Sequence, residues 1–272
     1  MSTDTMDSGQ QVFTAIILAA DRERHNPVAV AADVRCKSMA PVNGTPMLFR
    51  VIEALASSAS VHNQTLCGPP RSIMDQEPTL EEYVVSGRVG WMENQATPSL
   101  SAFHAMASLP EDVPLLLTTS DHALLSPRIV DYFCREACRT ECDVAAAVVR
   151  HEVVTAAYPH TRRTAYTFKD GAYCSCNLFA FMTSRSRQVP NFWRRVEQQR
   201  KNPLRVINIL GWMTVIRYLL RNLTLTEVLN RLSRQLGCTA GVVVLPYPEA
   251  AIDVDSADDW RYVQQIAAKT LS

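Results

Sequence analysis

Short, nearly continuous apolar runs rich in β-branched side chains constrain the fold of this chain more than any other feature. The first run, VFTAIILAA from Val12 to Ala20, has no polar face, which is typical of a strand covered on both sides of a parallel sheet. The runs Val113–Thr118 (VPLLLT) and Asp143–Val149 (DVAAAVV) have the same character. We predict further strands at Asn177–Met182 and Thr239–Leu245. Together these runs predict a buried, mostly parallel β-sheet.

Segments with apolar residues at helical spacing separate the strands. One begins at Met47, and a second spans Ser99–Leu109. A third, Arg128–Thr140, follows Ser126 and Pro127, a pairing that favours an N-cap with proline at the first helical position. Strands that alternate with helices predict βαβ units and a doubly wound, Rossmann-like α/β fold.

The C-terminal half is expected to carry a helical insertion within one domain. We assign residues 12–272 to a single domain, residues 1–11 to a disordered tail and residues 183–237 to a helical lobe. Thr224 and Glu227 have the spacing of a capping box, which predicts the start of a helix. The helices predicted in and after the lobe are Arg185–Gln199, Leu204–Leu220, Thr224–Leu236 and the segment from Ser256 to Leu271.

Composition limits the classes of partner. With 47% hydrophobic residues, the chain of 272 residues can bury a large core, and its 27 Lys and Arg against 27 Asp and Glu give a formal net charge of zero. Because there is no global basic field, we expect no nucleic-acid partner, and phosphate chemistry would need local charge. Only 9 glycines are present, which disfavours the usual glycine-rich phosphate loop.

The start of the chain and its cysteines favour a cytoplasmic protein. The polar start MSTDTMDSGQQ lacks the features of a secretory signal, and we interpret the 8 cysteines as reduced thiols. The apolar stretch Ile209–Leu220 contains Arg217 and is too short for a transmembrane helix. We expect it to form a buried helix or a homodimer contact. The alternative is a peripheral membrane contact that brings a lipid-linked acceptor within reach.

Polar side chains follow three of the predicted strands. Asp21–Arg24 come after the first strand, and Lys37 ends the loop that begins there. Thr118–His122 end the second run, and Ala251–Ser256 follow the last strand. Ligands of open α/β sheets bind beyond the carboxyl ends of the strands, so we expect these groups to meet. They would supply cations for phosphates and carboxylates for Mg²⁺, which favours phosphoryl-group chemistry.

The same segments resemble a known family. They are AIILAADRER (Ala15–Arg24), KSMAPVNGTPML (Lys37–Leu48), LLLTTSD (Leu115–Asp121) and IDVDSADD (Ile252–Asp259). The second is similar to the pattern Lys-x-Leu-x-Pro-Val-x-Gly-x-Pro-Met-Leu, and the last to Asp-Ile-Asp-Thr-Pro-Glu-Asp, of nucleotidyltransferases of the GT-A type. Among these the chain resembles the molybdenum-cofactor guanylyltransferase-like (MobA-like) NTP transferases. The resemblance covers most of the chain apart from about Arg185–Leu236. The resemblance implies the GT-A-type nucleotidyltransferase fold and Mg²⁺ as cofactor.

The resemblance also implies roles for individual residues. It gives Lys37, Asp121 and Arg22 catalytic roles, and it makes Asp121 and Asp255 the metal ligands. Asn177 falls where related enzymes present an asparagine to the acceptor. The nucleotide-binding residues that it implies are Ala19, Ala20, Asp21, Arg22, Arg24, Lys37, Thr97, Ser99 and Ser101.

A cationic cluster lies in the predicted helical lobe. Its members are Arg194, Arg195, Arg200, Lys201 and Arg205. Such a cluster is usually a solvated helix face. If it lies near the active edge of the sheet, it would hold an acceptor phosphate, with Arg200 and Lys201 as the acceptor-binding residues.

The first loop departs from the family pattern Leu-Ala-Ala-Gly-x-Gly. Asp21 and Glu23 stand at the two glycine positions, where glycine would allow the backbone to approach phosphate closely. We expect both carboxylates to turn away from the triphosphate or to join the metal shell, because an uncompensated anion would repel the donor. The alternative is a degenerate protein that binds nucleotide without turnover.

Two residues beside the expected site are interpreted as structural. His122 is expected to support Asp121 rather than to react, and Asp253 is assigned a structural role. For Asp255 the alternative to metal binding is the capped start of a helix, since Ser256 follows it.

The cysteine pattern is also interpreted as structural. Cys134, Cys138 and Cys142 lie four apart, and we expect small buried side chains on one helix face rather than a zinc site, which usually has four ligands. Cys174 and Cys176 have the alternation of strand positions.

The sequence thus predicts an enzyme that transfers a nucleoside monophosphate from an NTP, either CTP or GTP, to a phosphorylated small-molecule acceptor and releases pyrophosphate. The alternatives are a glycosyltransferase of the same architecture and a catalytically degenerate nucleotide-binding protein.

Overall fold

A computed structural model describes residues 11–21, 26–199, 217 and 220–270. The described residues form one large sheet and a separate two-stranded ribbon. The strands are β1 Phe13–Leu18, β2 Pro41–Val42, β3 Thr45–Pro46, β4 Val61–Cys67, β5 Gly90–Met92, β6 Leu115–Thr119, β7 Val144–Arg150, β8 Tyr166–Phe168, β9 Gly171–Phe181 and β10 Ala240–Val244.

The large sheet has eight strands and is mostly parallel. Its order is β10–β7–β9–β6–β1–β4–β5, with β8 paired to β9. All neighbours are parallel except β9, which runs antiparallel to β6, β7 and β8. The prediction of a doubly wound, mostly parallel α/β sheet is therefore confirmed, with one antiparallel strand inserted near its middle.

The helices between the strands begin at recognisable sequence signals. Asn26, Thr97, Ser126 and Thr224 each accept a backbone N–H in the first turn as N-caps, and Thr224 completes the predicted capping box. The helices are α1 Pro27–Ala31, α2 Met47–Ala56, α3 Arg71–Met74, α4 Pro78–Val85, α5 Pro98–Ala107, α6 Pro127–Arg139, α7 His151–Ala157, α8 Val189–Gln199, α9 Leu225–Leu236 and α10 Ala257–Thr270. None of these described helices is long and apolar enough to cross a membrane.

Strand β1 lies at the centre of the core, as its apolar sequence predicts. Ala15 and Ile17 pack into the hydrophobic cluster on one face of the sheet, and Ile16 packs into the cluster on the other face. All three side chains are fully buried. A strand that is covered on both faces has no solvent-facing side, so its residues need not alternate between polar and apolar. This explains the continuous apolar run.

Several predicted segments differ from the structure. The loop expected between the first strand and Lys37 contains the short helix α1. The expected strand 177–182 is the second half of the longer β9. Strand β4, with the sequence VHNQTLC, was not predicted, because its first half is polar and exposed. Helix α6 ends at Arg139, so Cys142 does not share its helix face with Cys134.

The cysteines are free thiols. Cys134, Cys174 and Cys176 are buried, as expected, whereas Cys138 and Cys142 are only partly buried. Burial raises the pKa of the Cys134 and Cys176 thiols, so these groups remain protonated and act as small apolar side chains.

Some expectations fall outside the described residues. They concern the tail 1–10, most of the predicted helix 204–220, and the residues Arg22, Glu23, Arg24, Arg200, Lys201 and Arg205.

A buried arginine fixes the connection that leads into β6. The Arg187 guanidinium, from the 3-10 turn before α8, donates to the backbone carbonyls of Met106 and Leu109 at 2.8 Å each and of Val113 at 2.8 Å, and also to that of Pro110. Only 8% of Arg187 is exposed. The guanidinium therefore supplies the hydrogen-bond donors that water would otherwise give to these carbonyls, at the end of α5 and in the loop after it.

We expect Arg187→Met to lower the free energy of unfolding by about 3 kcal/mol or more, because several buried carbonyls lose their donor at once. Urea unfolding of the full chain measures this loss. Arg185→Met, an exposed position in the same turn, is the matched control, and equal losses for the two variants would contradict the role of the buried guanidinium.

Candidate functional site

A cavity of about 480 Å³ lies beyond the carboxyl ends of β1 and β6. In the parallel pairing of these strands Leu18 lies opposite Thr119, so both strands end at the same level. The chain leaving β1 brings Ala20 and Asp21 to the cavity, and the chain leaving β6 brings Asp121. The cavity thus lies where ligands of open α/β sheets bind.

The Lys37 ammonium lies between two carboxylates of this cavity. Its Nζ lies 2.6 Å from Asp121 Oδ2 and 3.5 Å from Asp255 Oδ1. The side chains of Lys37 and Asp121 are only 15% and 16% exposed, whereas that of Asp255 is 69% exposed. The Lys37–Asp121 ion pair is therefore shielded from water, and the contact with Asp255 is the weaker of the two.

Asp121 is held as a carboxylate. Thr119 Oγ1 donates to its Oδ1 at 2.5 Å, and Lys37 donates to its Oδ2. Burial on its own raises the pKa of Asp121, but the charge of Lys37 and these two hydrogen bonds outweigh burial and keep the pKa below its ordinary value. The negative charge needed to hold a cation is present around neutral pH.

Asp21, at the first glycine position of the family pattern, turns toward the Lys37 loop. Its Oδ2 accepts the backbone N–H of Lys37 at 2.9 Å. Burial raises the pKa of Asp21, against the opposing effects of that hydrogen bond and of the Lys37 charge. The carboxylate therefore anchors the loop that presents the Lys37 ammonium.

Asp253 belongs to a separate network of the same cavity. Arg163 binds it with both terminal nitrogens, Nη2 donating to Oδ2 at 2.9 Å. Asn177 Nδ2 donates to the same Oδ2 at 2.8 Å, and the Asn177 carbonyl accepts from Thr118 Oγ1 at 2.7 Å. Arg163 compensates the charge of Asp253. Asp253 in turn orients the Asn177 amide, whose side-chain oxygen accepts no hydrogen bond from the described residues.

His122 is packed behind the ion pair. It is 1% exposed, and its Nδ1 lies 3.5 Å from Thr118 Oγ1. Burial lowers the pKa of His122 to about 4 in spite of the neighbouring Asp121 charge. The imidazole is therefore neutral around neutral pH and contributes packing.

A second cavity of about 310 Å³ adjoins the first and shares Leu18, Ala20, Asp21 and Pro98 with it. The two cavities therefore form one continuous cleft around the end of β1. The smaller cavity is also lined by Cys67, Asn94, Thr97, Ser101 and Glu197.

Hydrogen bonds order the rim of the second cavity. Thr97 Oγ1 accepts the Leu100 N–H at 3.2 Å as the N-cap of α5, and Ser101 Oγ accepts the Gln95 N–H at 2.8 Å. Glu197 reaches this rim from α8, since its Oε2 accepts from Ser99 Oγ at 2.5 Å. Loop 94–97 is thus fixed against the first turn of α5.

Most of the residues implied by sequence lie around the cleft. Ala20 and Asp21 line both cavities, Lys37, Asp121, Asp255 and Asn177 line the larger one, and Thr97 and Ser101 line the smaller one. Ala19 lines neither cavity, since it is buried and its N–H donates to the Cys67 carbonyl. Ser99 is buried and contacts Glu197. The implied residues Arg22, Arg24, Arg200 and Lys201 lie outside the described part of the chain.

The sequence did not indicate Arg163, Asn94 or Glu197. Arg163 binds a carboxylate 90 positions away, and Glu197 binds Ser99 across 98 positions, so no local spacing marks either residue. A usable signal for Arg163 was the charge of Asp253, which needs a cationic partner if it is buried.

The carboxylates of the larger cavity suit a divalent cation that shares its coordination with a ligand. No group of three or more His, Cys, Asp or Glu side chains that could hold a metal occurs in the described ranges. Asp121 and Asp255, however, converge on one positive charge, the Lys37 ammonium. Mg²⁺ is usually bound by one or two carboxylates together with water and phosphate oxygens, so this pair fits it.

Comparison with known proteins identifies the family of this chain. The sequence pattern described as "MobA-like NTP transferase domain" matches residues 15–205. Among curated proteins no relative matches.

Solved structures extend the comparison. A hypothetical transferase from Thermus thermophilus is 27% identical, with a TM-score of 0.74 over 92% of this chain and 100% of that one. A CMP:2-keto-3-deoxy-manno-octonic acid synthetase complexed with CTP is 13% identical, with a TM-score of 0.58 over 95% and 99%. A 4-diphosphocytidyl-2C-methyl-D-erythritol synthase from Anaerococcus prevotii is 12% identical, with a TM-score of 0.55 over 95% and 97%. The last two similarities, at 13% and 12% identity, show a shared fold and no more.

The family match spans well over half of the chain and includes β1, the Lys37 turn and β6, which build the larger cavity. The chain therefore belongs to the MobA-like NTP transferase family and is a nucleotidyltransferase of that family.

Proposed function

We propose that this protein transfers a nucleoside monophosphate from CTP or GTP to a phosphorylated small-molecule acceptor, with Mg²⁺, and releases pyrophosphate. The observation that carries the proposal is the convergence of Lys37, Asp121 and Asp255 at the ends of β1 and β6, next to a second cavity large enough for part of a ligand. One of the similar structures, the CMP:2-keto-3-deoxy-manno-octonic acid synthetase, is a complex with CTP, which supports a nucleoside triphosphate as donor.

The reaction requires positioning and charge rather than a protein nucleophile. An acceptor phosphate oxygen attacks the α-phosphorus in line, a new P–O bond forms, and the bond to the β-phosphate bridging oxygen breaks. Pyrophosphate leaves with that electron pair. Preorganised cations at the site lower the barrier, because they stabilise charge that moves onto the leaving group.

Each residue of the larger cavity has a part in this proposal. Lys37 would contact the phosphates, and Asp121 and Asp255 would hold Mg²⁺, which would supply positive charge to the reacting phosphates. Asp21 fixes the Lys37 loop through the backbone N–H. Asn177, oriented by Asp253, offers its side-chain oxygen to the acceptor.

The remaining assignments stay predictions. They are phosphate contacts by Arg22 and Arg24, acceptor contacts by Arg200 and Lys201, a single domain over residues 12–272, a cytoplasmic location, and a homodimer or peripheral membrane contact through residues 209–220.

The reaction class is tested by incubating the protein with Mg²⁺, each labelled NTP and a panel of phosphorylated small molecules. Release of pyrophosphate that depends on an acceptor is the expected result. Transfer of sugar from a nucleotide-sugar would favour the glycosyltransferase alternative, and nucleotide binding without turnover would favour the degenerate one.

We expect Asp121→Asn to reduce Mg²⁺-dependent turnover by about a hundredfold or more, because the amide keeps the shape but loses the charge that holds a hard cation. Steady-state pyrophosphate release measures this. Asp75→Asn, which removes an exposed carboxylate of a surface ion pair, is the control. Turnover of the Asp121 variant at the wild-type rate would contradict the metal assignment.

Lys37→Ala should weaken NTP binding, because the phosphates lose a full positive charge. Calorimetric titration is expected to give an affinity loss of about tenfold. The melting temperature should fall as well, because Asp121 loses the cation that compensates it. Lys169→Ala, at the turn between β8 and β9, provides the comparison. Equal NTP affinities for wild type and the Lys37 variant would refute the contact.

Replacing both Asp21 and Glu23 with glycine should lower turnover by about tenfold, because the anchor of the Lys37 loop is lost and catalytic groups tolerate little misplacement. The single variant Asp21→Gly removes the anchor of the Lys37 loop but keeps Glu23. It therefore separates the effect of the anchor from the effect of the Glu23 carboxylate. A gain in turnover by the double variant would instead mean that the two carboxylates impede the donor.

A further inference from the structure

The smaller cavity is suited to the uncharged part of a nucleotide. No Lys or Arg occurs among the described residues that line it, whereas the larger cavity contains Lys37. If the proposed function is right, the phosphates lie beside Lys37, and the base enters the smaller cavity. The inference below therefore rests on the proposed function.

Helix α8 brings a carboxylate into this smaller cavity. Trp193 of α8 packs against Phe179 and Phe181 of β9, with ring centroids 5.1 and 6.1 Å apart. Glu197 follows Trp193 by four residues and so lies on the same helix face. The aromatic contacts therefore determine where the Glu197 side chain lies.

A buried hydroxyl holds the Glu197 carboxylate in place. Ser99, which is 5% exposed, donates its Oγ–H to Glu197 Oε2 at 2.5 Å. A carboxylate has about four lone-pair sites, so one donor leaves most of its capacity unused. The second oxygen, Oε1, receives no side-chain or backbone donor from the described residues.

Asn94 presents a second unused acceptor at the same cavity. Its Oδ1 is buried and has no hydrogen-bond partner among the described atoms, while its Nδ2 donates to the Gln95 carbonyl at 3.4 Å. An unpaired buried oxygen is costly, and a ligand N–H would relieve that cost. Two side chains that line this cavity thus carry acceptor capacity that the described residues leave unused.

Only one of the four common bases presents two adjacent hydrogen-bond donors, which match the two oxygens of a carboxylate. Guanine presents N1–H and N2–H side by side, and both can donate to one carboxylate. Cytosine and adenine each place an amino donor beside a ring nitrogen acceptor, which would face the second carboxylate oxygen. Uracil has one N–H between two carbonyl oxygens. Matching bidentate contacts of this kind discriminate strongly between bases.

We propose that Glu197 determines base specificity and selects guanine, so that GTP rather than CTP is the donor. Its carboxylate accepts from N1–H and N2–H, and Asn94 Oδ1 adds an acceptor in the same cavity.

The test is calorimetric titration of the full chain with Mg²⁺ and GTP, ITP, dGTP, CTP, ATP or UTP in turn. Wild type is expected to bind GTP at least about tenfold more tightly than CTP, ATP or UTP, with ITP intermediate because it lacks the N2 amino group. Glu197→Gln should remove most of the GTP preference without lowering the CTP affinity, because an amide offers one acceptor and one donor, which match the amino group and ring nitrogen of cytosine. Glu197→Asp, which keeps the charge but shortens the reach, should also lose the preference.

The control variant is Glu152→Gln. Glu152 lies on α7, its side chain is 76% exposed, and it lines neither cavity. This variant should bind every nucleotide as wild type does. A preference for CTP, or an equal loss of affinity for all bases in Glu197→Gln, would overturn the proposal. An effect of Glu197→Gln on GTP that is absent with dGTP would assign the carboxylate to the ribose and overturn it too. If wild type binds no NTP at all, the proposed function itself fails. If it binds NTPs with no preference for GTP, only this inference fails and the proposed function stands.

Discussion

The parallel pairing of β1 with β6 is the constraint on which the site depends. Because Leu18 lies opposite Thr119, the two strands end together, and the segments leaving them start from one edge of the sheet. Lys37 returns to this edge and binds both segments, Asp21 through its backbone N–H and Asp121 through its ammonium. One lysine thus links two strand ends that are far apart in sequence, and the charge balance of the larger cavity depends on it.

The antiparallel β9 brings a different kind of group to the same edge. A parallel strand brings the residues that follow it, whereas β9 passes the end of β6 in the opposite direction and contributes Asn177 from within the strand. Arg163 neutralises Asp253 beside it. The cavity therefore contains two compensated carboxylate systems, one around the Lys37 ammonium and one around Arg163 that fixes the Asn177 amide.

The parts of this molecule that the sequence predicted are those governed by local pattern or by a family motif. Strand β1 is apolar throughout because both of its faces are buried, and the motif segments carry Lys37 and Asp121. Strand β4 was missed because its exposed half is polar, although pairing with β1 makes it a strand. Glu197 was missed for a related reason, since its importance depends on a partner 98 positions away that only the packing of α8 on β9 reveals.

The buried Arg187 has a consequence for the cavity that it does not line. Its guanidinium holds the end of α5 next to the turn from which α8 starts, while Ser99 and Glu197 meet at the opposite ends of the same two helices. Two antiparallel helices fixed at one end can separate only by a change of angle at that end. If the base enters the smaller cavity as proposed, the width available to it is set in part at a remote arginine. We then expect a substitution there to change the size of base admitted while the residues that line the cavity stay the same.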